Sequence, residues 1–236
     1  MSRFVFVMPA YNAQDTIVQS LISVVAQTHR DWKVIIRDDM SNDSTAEIAE
    51  NFSKHFGLQD IITVQRNTTK KWEVQNVLEM IAQCDENDII CRLDADDWLT
   101  DTDILTFLNH RYDVEGYDAV WTAHRWGFSG MNISAPIPEG VNVYKHPWVS
   151  SHFKTFRKSL ISGISDDNFR SSDGNYFKRI GAQAIYLPVL HRARKRLFEP
   201  IVAYHYTIDM KSETFQTEDA RFQKHEAEYL RSRGFV

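Results

Sequence analysis

The stretch that decides the fold is DIICRLDADDW, residues 88–98, an apolar run followed at once by the carboxylates of Asp94, Asp96 and Asp97. A short apolar run is typical of a buried strand, so the carboxylates fall at its carboxyl end, where open α/β sheets bind their ligands. Clustered carboxylates repel one another unless a cation or hydrogen-bond donors compensate them. A hard divalent metal that also holds phosphate oxygens is the natural compensation, and the run therefore predicts a metal–nucleotide site.

The chain before this run alternates short apolar strands with amphipathic helices. Strands are predicted over 4–8, 32–37, 61–64 and 88–93, with helices from Ile17 to Val25, from a capping box at Ser44 to Glu47, and over 73–83. This alternation predicts an α/β fold with a mostly parallel central sheet and helices on both faces.

The second half of the chain has a different character. It predicts a strand over 117–121, a loop-rich insert over 127–147, a helix near 173–180, a strand over 184–187 and a closing helix over 218–233. We expect a nucleotide-binding half over residues 1–115 and an acceptor-binding half over residues 116–236, which share one sheet in a single domain.

Composition is typical of a soluble cytoplasmic protein. The 236 residues are 43% hydrophobic, which is enough for a substantial core, and the formal net charge of −5 gives no global signal for nucleic acid. The cysteines Cys84 and Cys91 stand outside any CxxC pattern and are predicted to be reduced core residues. The apolar start is too short for a signal peptide, and the absence of an 18-residue apolar run predicts no membrane span. The oligomeric state is left open.

Polar loops follow three of the predicted strands: PAYN at 9–12, DDMSNDST at 38–45 and DADD at 94–97. In that order and spacing, the three motifs resemble family 2 glycosyltransferases of the GT-A fold. The resemblance covers about residues 3–100 closely and continues more weakly to about residue 215. It implies a UDP-sugar donor, an acceptor hydroxyl group and a divalent cofactor, Mn²⁺ or Mg²⁺.

The resemblance implies a role for each donor-side residue. Asp39 accepts a hydrogen bond from the uracil imide, because a carboxylate only accepts and an imide donates. The base and ribose wall is implied at Pro9, Ala10 and Tyr11, with Asp38 nearby. Asp94 reaches the ribose or the donor sugar, and Asp96 binds the metal that bridges the diphosphate. Lys70 or Lys71, after the third strand, reaches the uracil or a phosphate, and the sequence does not decide between them.

The catalytic base is implied in the second half, since inverting members use an acid just before a helix there. Asp173, in SSDGNYF at 171–177, matches that place, with Asp166 and Asp167 in reserve. The family usually has two adjacent acids at this point, whereas this chain has Ser172 and Asp173. A third metal ligand is implied at His205, or at Asp209 in an alternative alignment.

Several of these residues also have a purely structural interpretation. Asp43 and Ser44 are more typical of helix caps than of catalytic groups, and Asp97 either holds its loop or binds the metal. Asp173 could simply cap its helix, and His205 could be a half-buried histidine. The basic run at 191–196 is a solvated loop, a lid over the diphosphate or a contact for an anionic acceptor.

The sequence leaves the identity of the acceptor open. A glycan or a lipid-linked sugar is the default. The latter half is also similar to small glycosyltransferases of tailed bacteriophages, so the alternative is a DNA glycosyltransferase that modifies 5-hydroxymethyl-pyrimidine bases in the host cytoplasm, which requires base extrusion. A weaker alternative is a non-catalytic sugar- or nucleotide-binding module, which need not keep the metal cluster.

Overall fold

The computed structural model describes residues 2–127, 129–208 and 217–236. The first part of the chain forms β1 Phe4–Ala10, α1 Ile17–Val25, β2 Trp32–Asp38, α2 Thr45–His55, β3 Ile62–Arg66, α3 Trp72–Ile81, β4 Ile89–Arg92, β5 Trp98–Leu99 and α4 Ile104–Asp113. The rest forms β6 Ala119–Trp126, β7 Lys154–Arg157, α5 Gly181–Arg192, β8 Arg196–Tyr206 and α6 Thr217–Arg233.

All of these strands join one sheet in the order β3-β2-β1-β4-β7-β6-β8-β5. The pairs within β3-β2-β1-β4 and the pair β6–β8 are parallel, while β7 and β5 pair antiparallel to their neighbours. Alternate residues of β1 enter two different cores: Phe4 and Phe6 pack with α1, α2 and α4, and Val5 and Val7 pack with α3 and α5. The predicted α/β fold, with a mostly parallel sheet and helices on both faces, is confirmed.

The register brings the site loops to one edge of the sheet. Ala10 at the end of β1 lies beside Asp38 at the end of β2, and Arg92 at the end of β4 lies beside Lys154 at the start of β7. The carboxyl ends of β6 and β8 reach the same side, because Trp121 in β6 also pairs with Lys154. We call this side the carboxyl edge.

Two elements predicted in the second half are wrong. Residues 173–180 form turns rather than a helix, and residues 184–187 lie inside α5 rather than in a strand. Ala184 to Leu190 are all buried, so this helix lacks the polar stripe that marks an amphipathic period. Pro188 lies within the helix and weakens its sequence signal further.

The capping box predicted at the start of α2 is also wrong. Ser44 stands at the N-cap position, but its side chain makes no capping hydrogen bond. The carboxylate of Asp43 accepts instead from the backbone N–H of Thr45, at 3.0 Å, which agrees with the predicted capping role of Asp43.

The basic run at 191–196 lies away from the carboxyl edge. It spans the end of α5 and the start of β8, where Arg196 pairs with Ala119 at the opposite edge of the sheet. Arg192 donates to the carbonyl of Ser162 at 2.6 Å, and Arg196 donates to the carbonyl of Leu190 at 3.2 Å. The interpretation as a lid over a diphosphate at the carboxyl edge is therefore wrong.

Cys84 and Cys91 are free, buried thiols, as predicted. Burial raises the pKa of the Cys84 thiol to about 12, which makes it unreactive at neutral pH. Among the residues that the structure describes, no helix is both long and apolar enough to cross a membrane.

Candidate active site

The acidic loop after β4 meets His152, which lies two residues before β7. Asp94, Asp97 and His152 each offer a ligand atom, and these atoms all lie within 4.8 Å of one another. The side chain of Asp94 is 26% exposed, whereas Asp97 and His152 are buried. Asp96 is exposed on the same loop and lies outside this group. Two carboxylates and an imidazole suit a divalent ion such as Mn²⁺, so the donor set fits the cofactor implied by the sequence.

Asp97 ties the acidic loop to β8. Its carboxylate accepts from the hydroxyl of Tyr204 at 2.6 Å and from the backbone N–H of Thr207 at 2.7 Å. Burial, together with the nearby charges of Asp96 and Asp94, raises the pKa of Asp97 well above its ordinary value. A cation at this point would compensate the same carboxylates, so the loop-holding and metal-binding interpretations are compatible.

His152 is held as a neutral imidazole. Its ring stacks on Tyr204 with the centroids 4.5 Å apart, and Nδ1 lies 3.4 Å from Nζ of Lys154. Burial and the neighbouring Lys154 lower the pKa of His152 well below its ordinary value. Neutral imidazole is the form that binds metals. Burial also lowers the pKa of Lys154, to about 8.

Arg92 links Asp94 to Glu73 in α3. The guanidinium is 5% exposed and forms ion pairs with Asp94 on one side and Glu73 on the other. Burial alone would lower the pKa of Arg92, but the two carboxylates raise it above its ordinary value, so the group stays charged. The carboxyl group of Glu73 packs against the first residue of α5: a Cβ added to Gly181 would lie 1.9 Å from Cδ of Glu73. A larger residue at position 181 would require this carboxyl group to move.

Asp39 lies at the part of the carboxyl edge where the nucleobase is predicted to bind. Its carboxylate is buried and accepts from the backbone N–H of Lys71 at 2.8 Å, the side chain of Asn67 at 2.8 Å and the backbone N–H of Trp72 at 2.9 Å. Burial would raise the pKa of Asp39, but these hydrogen bonds lower it below its ordinary value.

The predicted base and ribose wall lies beside Asp39. Pro9 and Ala10 end β1, Ala10 pairs with Asp38, and Tyr11 follows with 44% of its surface exposed. Asp38 is buried, and its carboxylate accepts from the hydroxyl and the backbone N–H of Ser41. The structure thus brings these predicted residues together, with Tyr11 available to a ligand and Asp38 bracing the loop.

The two lysines after β3 point in different directions. The ammonium group of Lys71 pairs with Glu79 at 2.8 Å, so Lys71 faces Asp39 through its backbone N–H. Lys70 instead lies over the ring of Tyr11. Of the two lysines that the sequence left open, the geometry favours Lys70 as the side chain that a ligand would meet.

Three residues in the edge loops adopt a left-handed backbone that favours glycine. Asn12, Met40 and Trp72 have φ of 51°, 64° and 64°, and they follow β1, β2 and β3. Such residues cost about 1–3 kcal/mol each and persist mainly at functional sites. Their placement favours a functional role for the carboxyl edge.

The predicted base lies apart from a helix start. Asp173 is exposed in a turn, and its carboxylate accepts from the backbone and side-chain N–H groups of Asn175, both at 3.0 Å. These bonds lower the pKa of Asp173. Because α5 begins only at Gly181, Asp173 does not cap it. The reserve acids Asp166 and Asp167 are also exposed, in a short 3-10 helix.

His205, the predicted third metal ligand, lies in β8 beside the edge strand β5. His205 pairs with Trp98, and their rings stack with centroids 3.8 Å apart. The grouping of ligand atoms contains His152 rather than His205. Asp209, the alternative, lies outside the described residues.

Sequence reasoning missed several residues of this edge: His152, Arg92, Glu73 and Trp72. His152 follows the loop-rich insert and belongs to no motif, so nothing in the sequence marks it. Arg92 was part of the quoted run, and a charged residue inside an apolar strand was a usable signal for a buried ion pair.

The model of glycosyl transferase family 2 matches residues 5–165, which is more than half of the chain. The matched range contains the loops after β1, β2 and β4 and the cluster of Asp94, Asp97 and His152. The chain belongs to glycosyl transferase family 2.

Individual relatives agree with this family. EpsE of Bacillus subtilis (strain 168), named as a glycosyltransferase, is 28% identical over 138 residues, which are 56% of this chain and 48% of EpsE. The chain therefore corresponds to about half the length of that relative.

Solved structures confirm the fold. TarS 1–349 of S. aureus in complex with UDP-GlcNAc has a TM-score of 0.65 at 16% identity, covering 95% of this chain and 66% of that one. The mannosyltransferase PcManGT of Pyrobaculum calidifontis, in complex with GDP-Man and Mn²⁺, has a TM-score of 0.68 at 14% identity, covering 99% and 65%. The predicted GT-A fold is confirmed.

Proposed function

We propose that this glycosyltransferase moves a sugar from a UDP-sugar to an acceptor hydroxyl group, with a divalent metal and with inversion. The observation that carries the proposal is the grouping of Asp94, Asp97 and His152 at the carboxyl edge that Asp39 and Tyr11 share. A metal centre and a nucleobase wall on one edge are what a nucleotide-sugar donor needs.

The uridine donor is supported by the carboxylate of Asp39 beside the predicted base wall, because a carboxylate can accept from the N–H of a uracil imide. The complex of S. aureus TarS with UDP-GlcNAc supports the same choice. PcManGT carries GDP-Man, so guanosine donors are the competing class.

Mn²⁺ or Mg²⁺ would be held by Asp94, Asp97 and His152, with Asp96 exposed on the same loop. A bound ion supplies Lewis-acid stabilisation for the charge that grows on the departing diphosphate. The Mn²⁺ in PcManGT supports this choice. Asp96 and His205 stay predicted ligands.

The chain's own groups carry the proton and bind the donor. Asp173 is the proposed base, which takes the proton of the acceptor hydroxyl group, and Tyr11 supports the base and ribose. A glycan hydroxyl group is the proposed acceptor. The DNA-base alternative loses its electrostatic argument, because the basic run lies at the opposite edge of the sheet.

The experiment is a screen of UDP-sugars with Mn²⁺ that reads released UDP, with and without glycan acceptors. We expect turnover with at least one UDP-sugar, and we expect Asp173→Asn to lower the rate about 10²–10⁴-fold without weakening UDP binding. Asp60→Asn, at an exposed acid that is not a candidate base, is the matched control. Normal turnover in Asp173→Asn would move the base to Asp166 or Asp167. A parallel screen uses GDP-sugars. Turnover with a GDP-sugar and with no UDP-sugar would overturn the uridine donor, and no turnover with any donor would favour a non-catalytic module.

A further inference from the structure

A row of three side chains crosses the last strands of the carboxyl edge. Arg125 in β6 pairs with His205 in β8, and His205 pairs in turn with Trp98 at the start of β5. Residues that pair across neighbouring strands point to the same face of a sheet. The rings of Trp98 and His205 stack with their centroids 3.8 Å apart. We call these three residues the Arg125 row.

The Arg125 row and the metal-binding group lie on opposite faces of β8. The hydroxyl group of Tyr204 donates to Asp97, and successive residues of a strand point to opposite faces, so the histidine of the row points away from that loop. Trp121, which precedes Arg125 by four residues in β6, packs in the same core as Phe177. Phe177 belongs to the segment of the proposed base, so the row lies on the face that this segment covers.

The Arg125 row also lies far from the nucleobase end of the carboxyl edge. The strand order runs from β2, which leads to Asp39, through β1, β4 and β7 to β6, β8 and β5. Four strand spacings of about 4.8 Å separate β2 from β6, which is about 19 Å across the sheet. The metal loop follows β4, between these two points. A donor that extends from Asp39 to the metal loop therefore leaves the Arg125 row to a second substrate.

The row combines a free cation with a supported aromatic ring. Arg125 is exposed, and within the described residues its side chain forms neither an ion pair nor a hydrogen bond. A guanidinium group offers a planar fork of N–H donors that matches a carboxylate or a phosphate. Trp98 is only partly buried, and the stack with His205 holds its ring in place. Such a ring offers an apolar surface to the C–H face of a sugar.

We infer that the Arg125 row binds the acceptor and selects an anionic glycan. A carboxylate or phosphate group of the glycan pairs with Arg125, while a neighbouring sugar ring packs on Trp98. The inference deepens the proposed function, on which the assignment to the acceptor rests. Arg125 and Trp98 then determine acceptor specificity without contacting the nucleobase or the metal.

The test uses the full chain without UDP and three probes that share one backbone. These are cellotriose and its two derivatives that carry a C6 carboxylate or a C6 phosphate on the non-reducing ring. In calorimetry at low salt, we expect wild type to bind at least one anionic probe about tenfold more tightly than cellotriose. Arg125→Gln should lower that affinity to the level of cellotriose. Arg125→Lys should keep part of the preference, because it keeps the charge and loses the fork.

Each variant has a matched control. Arg194→Gln removes the same charge from an exposed arginine at the opposite edge of the sheet and should bind the probes as wild type does. Trp98→Ala should weaken all three probes by a similar factor, whereas Phe56→Ala, at an exposed ring just after α2, should not. Thermal melting checks that each variant is folded, and the Arg125 variants decide the anion preference even if Trp98→Ala unfolds.

Failure of wild type to prefer either anionic probe overturns the inference, as does a preference that Arg125→Gln keeps or that Arg194→Gln loses equally. A titration of UDP with Mn²⁺ keeps the two failures apart. Arg125→Gln should bind UDP as wild type does, and a loss of UDP affinity in that variant would place Arg125 in the donor site and overturn the inference. If UDP fails to bind wild type, the proposed function fails, yet the comparison of probes still decides whether the row binds an anionic sugar.

Discussion

The ion pairs of Arg92 give the sharpest stability prediction. Arg92→Met removes the partner of both Asp94 and Glu73 and leaves their charges at a largely buried place. Breaking a fully buried pair costs about 3–5 kcal/mol. The carboxylates keep 26% and 28% of their side-chain surface, so solvent screening reduces the expected loss to about 2–3 kcal/mol. For a chain of this size, that corresponds to a fall in Tm of about 4–12 °C.

The assay is urea unfolding followed by tryptophan fluorescence, with a double-mutant cycle. Glu73→Gln removes one stranded charge, so the double variant Arg92→Met/Glu73→Gln should recover about 1–2 kcal/mol relative to the additive sum. Arg66→Met is the matched control, because Arg66 pairs with Glu50 on the surface, and it should cost at most about 1 kcal/mol. A loss for Arg92→Met no larger than that of the control, or strictly additive effects, would refute the reasoning.

Two further predictions concern the packing of α5 and the buried side chain of His124. Gly181→Ala should destabilise the protein by about 1–3 kcal/mol in the same urea assay, because the added Cβ would overlap the carboxyl group of Glu73. Removing that carboxyl group with Glu73→Ala should relieve the loss caused by Gly181→Ala. An unchanged urea midpoint in Gly181→Ala would contradict the contact. Burial lowers the pKa of His124 from 6.5 to about 4. Between these two pH values, His124 is protonated in the unfolded chain and neutral in the native chain. Wild type should therefore lose about 2 kcal/mol more than His124→Gln between pH 7 and pH 5, and parallel losses would count against a neutral buried imidazole.

The sequence was sufficient where local pattern and topology agree. The apolar runs of β1, β2 and β4 are short and end in polar loops, and parallel pairing then brings those loops to one edge. α5 was missed because it is buried along most of its length and contains Pro188, so neither a helical period nor a clean propensity remained.

The candidate site was predictable only in part. Asp39 follows β2 directly and Asp94 comes two residues after β4, so their placement needs no knowledge of distant contacts. His152 reaches Asp94 because β7 inserts antiparallel between β4 and β6, a non-local pairing that no local pattern encodes. Asp97 turned inward because Tyr204 from β8 donates to it, which is again a long-range contact.

Calorimetric titration of UDP with and without Mn²⁺ tests the central claim most directly. We expect Mn²⁺ to strengthen UDP binding at least about tenfold in wild type and in the control Asp15→Asn, an exposed acid. Asp97→Asn should lose that gain while staying folded, because the amide still accepts from Thr207. The same titration of Asp96→Ala shows whether the predicted ligand Asp96 binds the metal in addition to Asp94, Asp97 and His152. UDP affinity that is the same with and without Mn²⁺ in wild type would contradict the account.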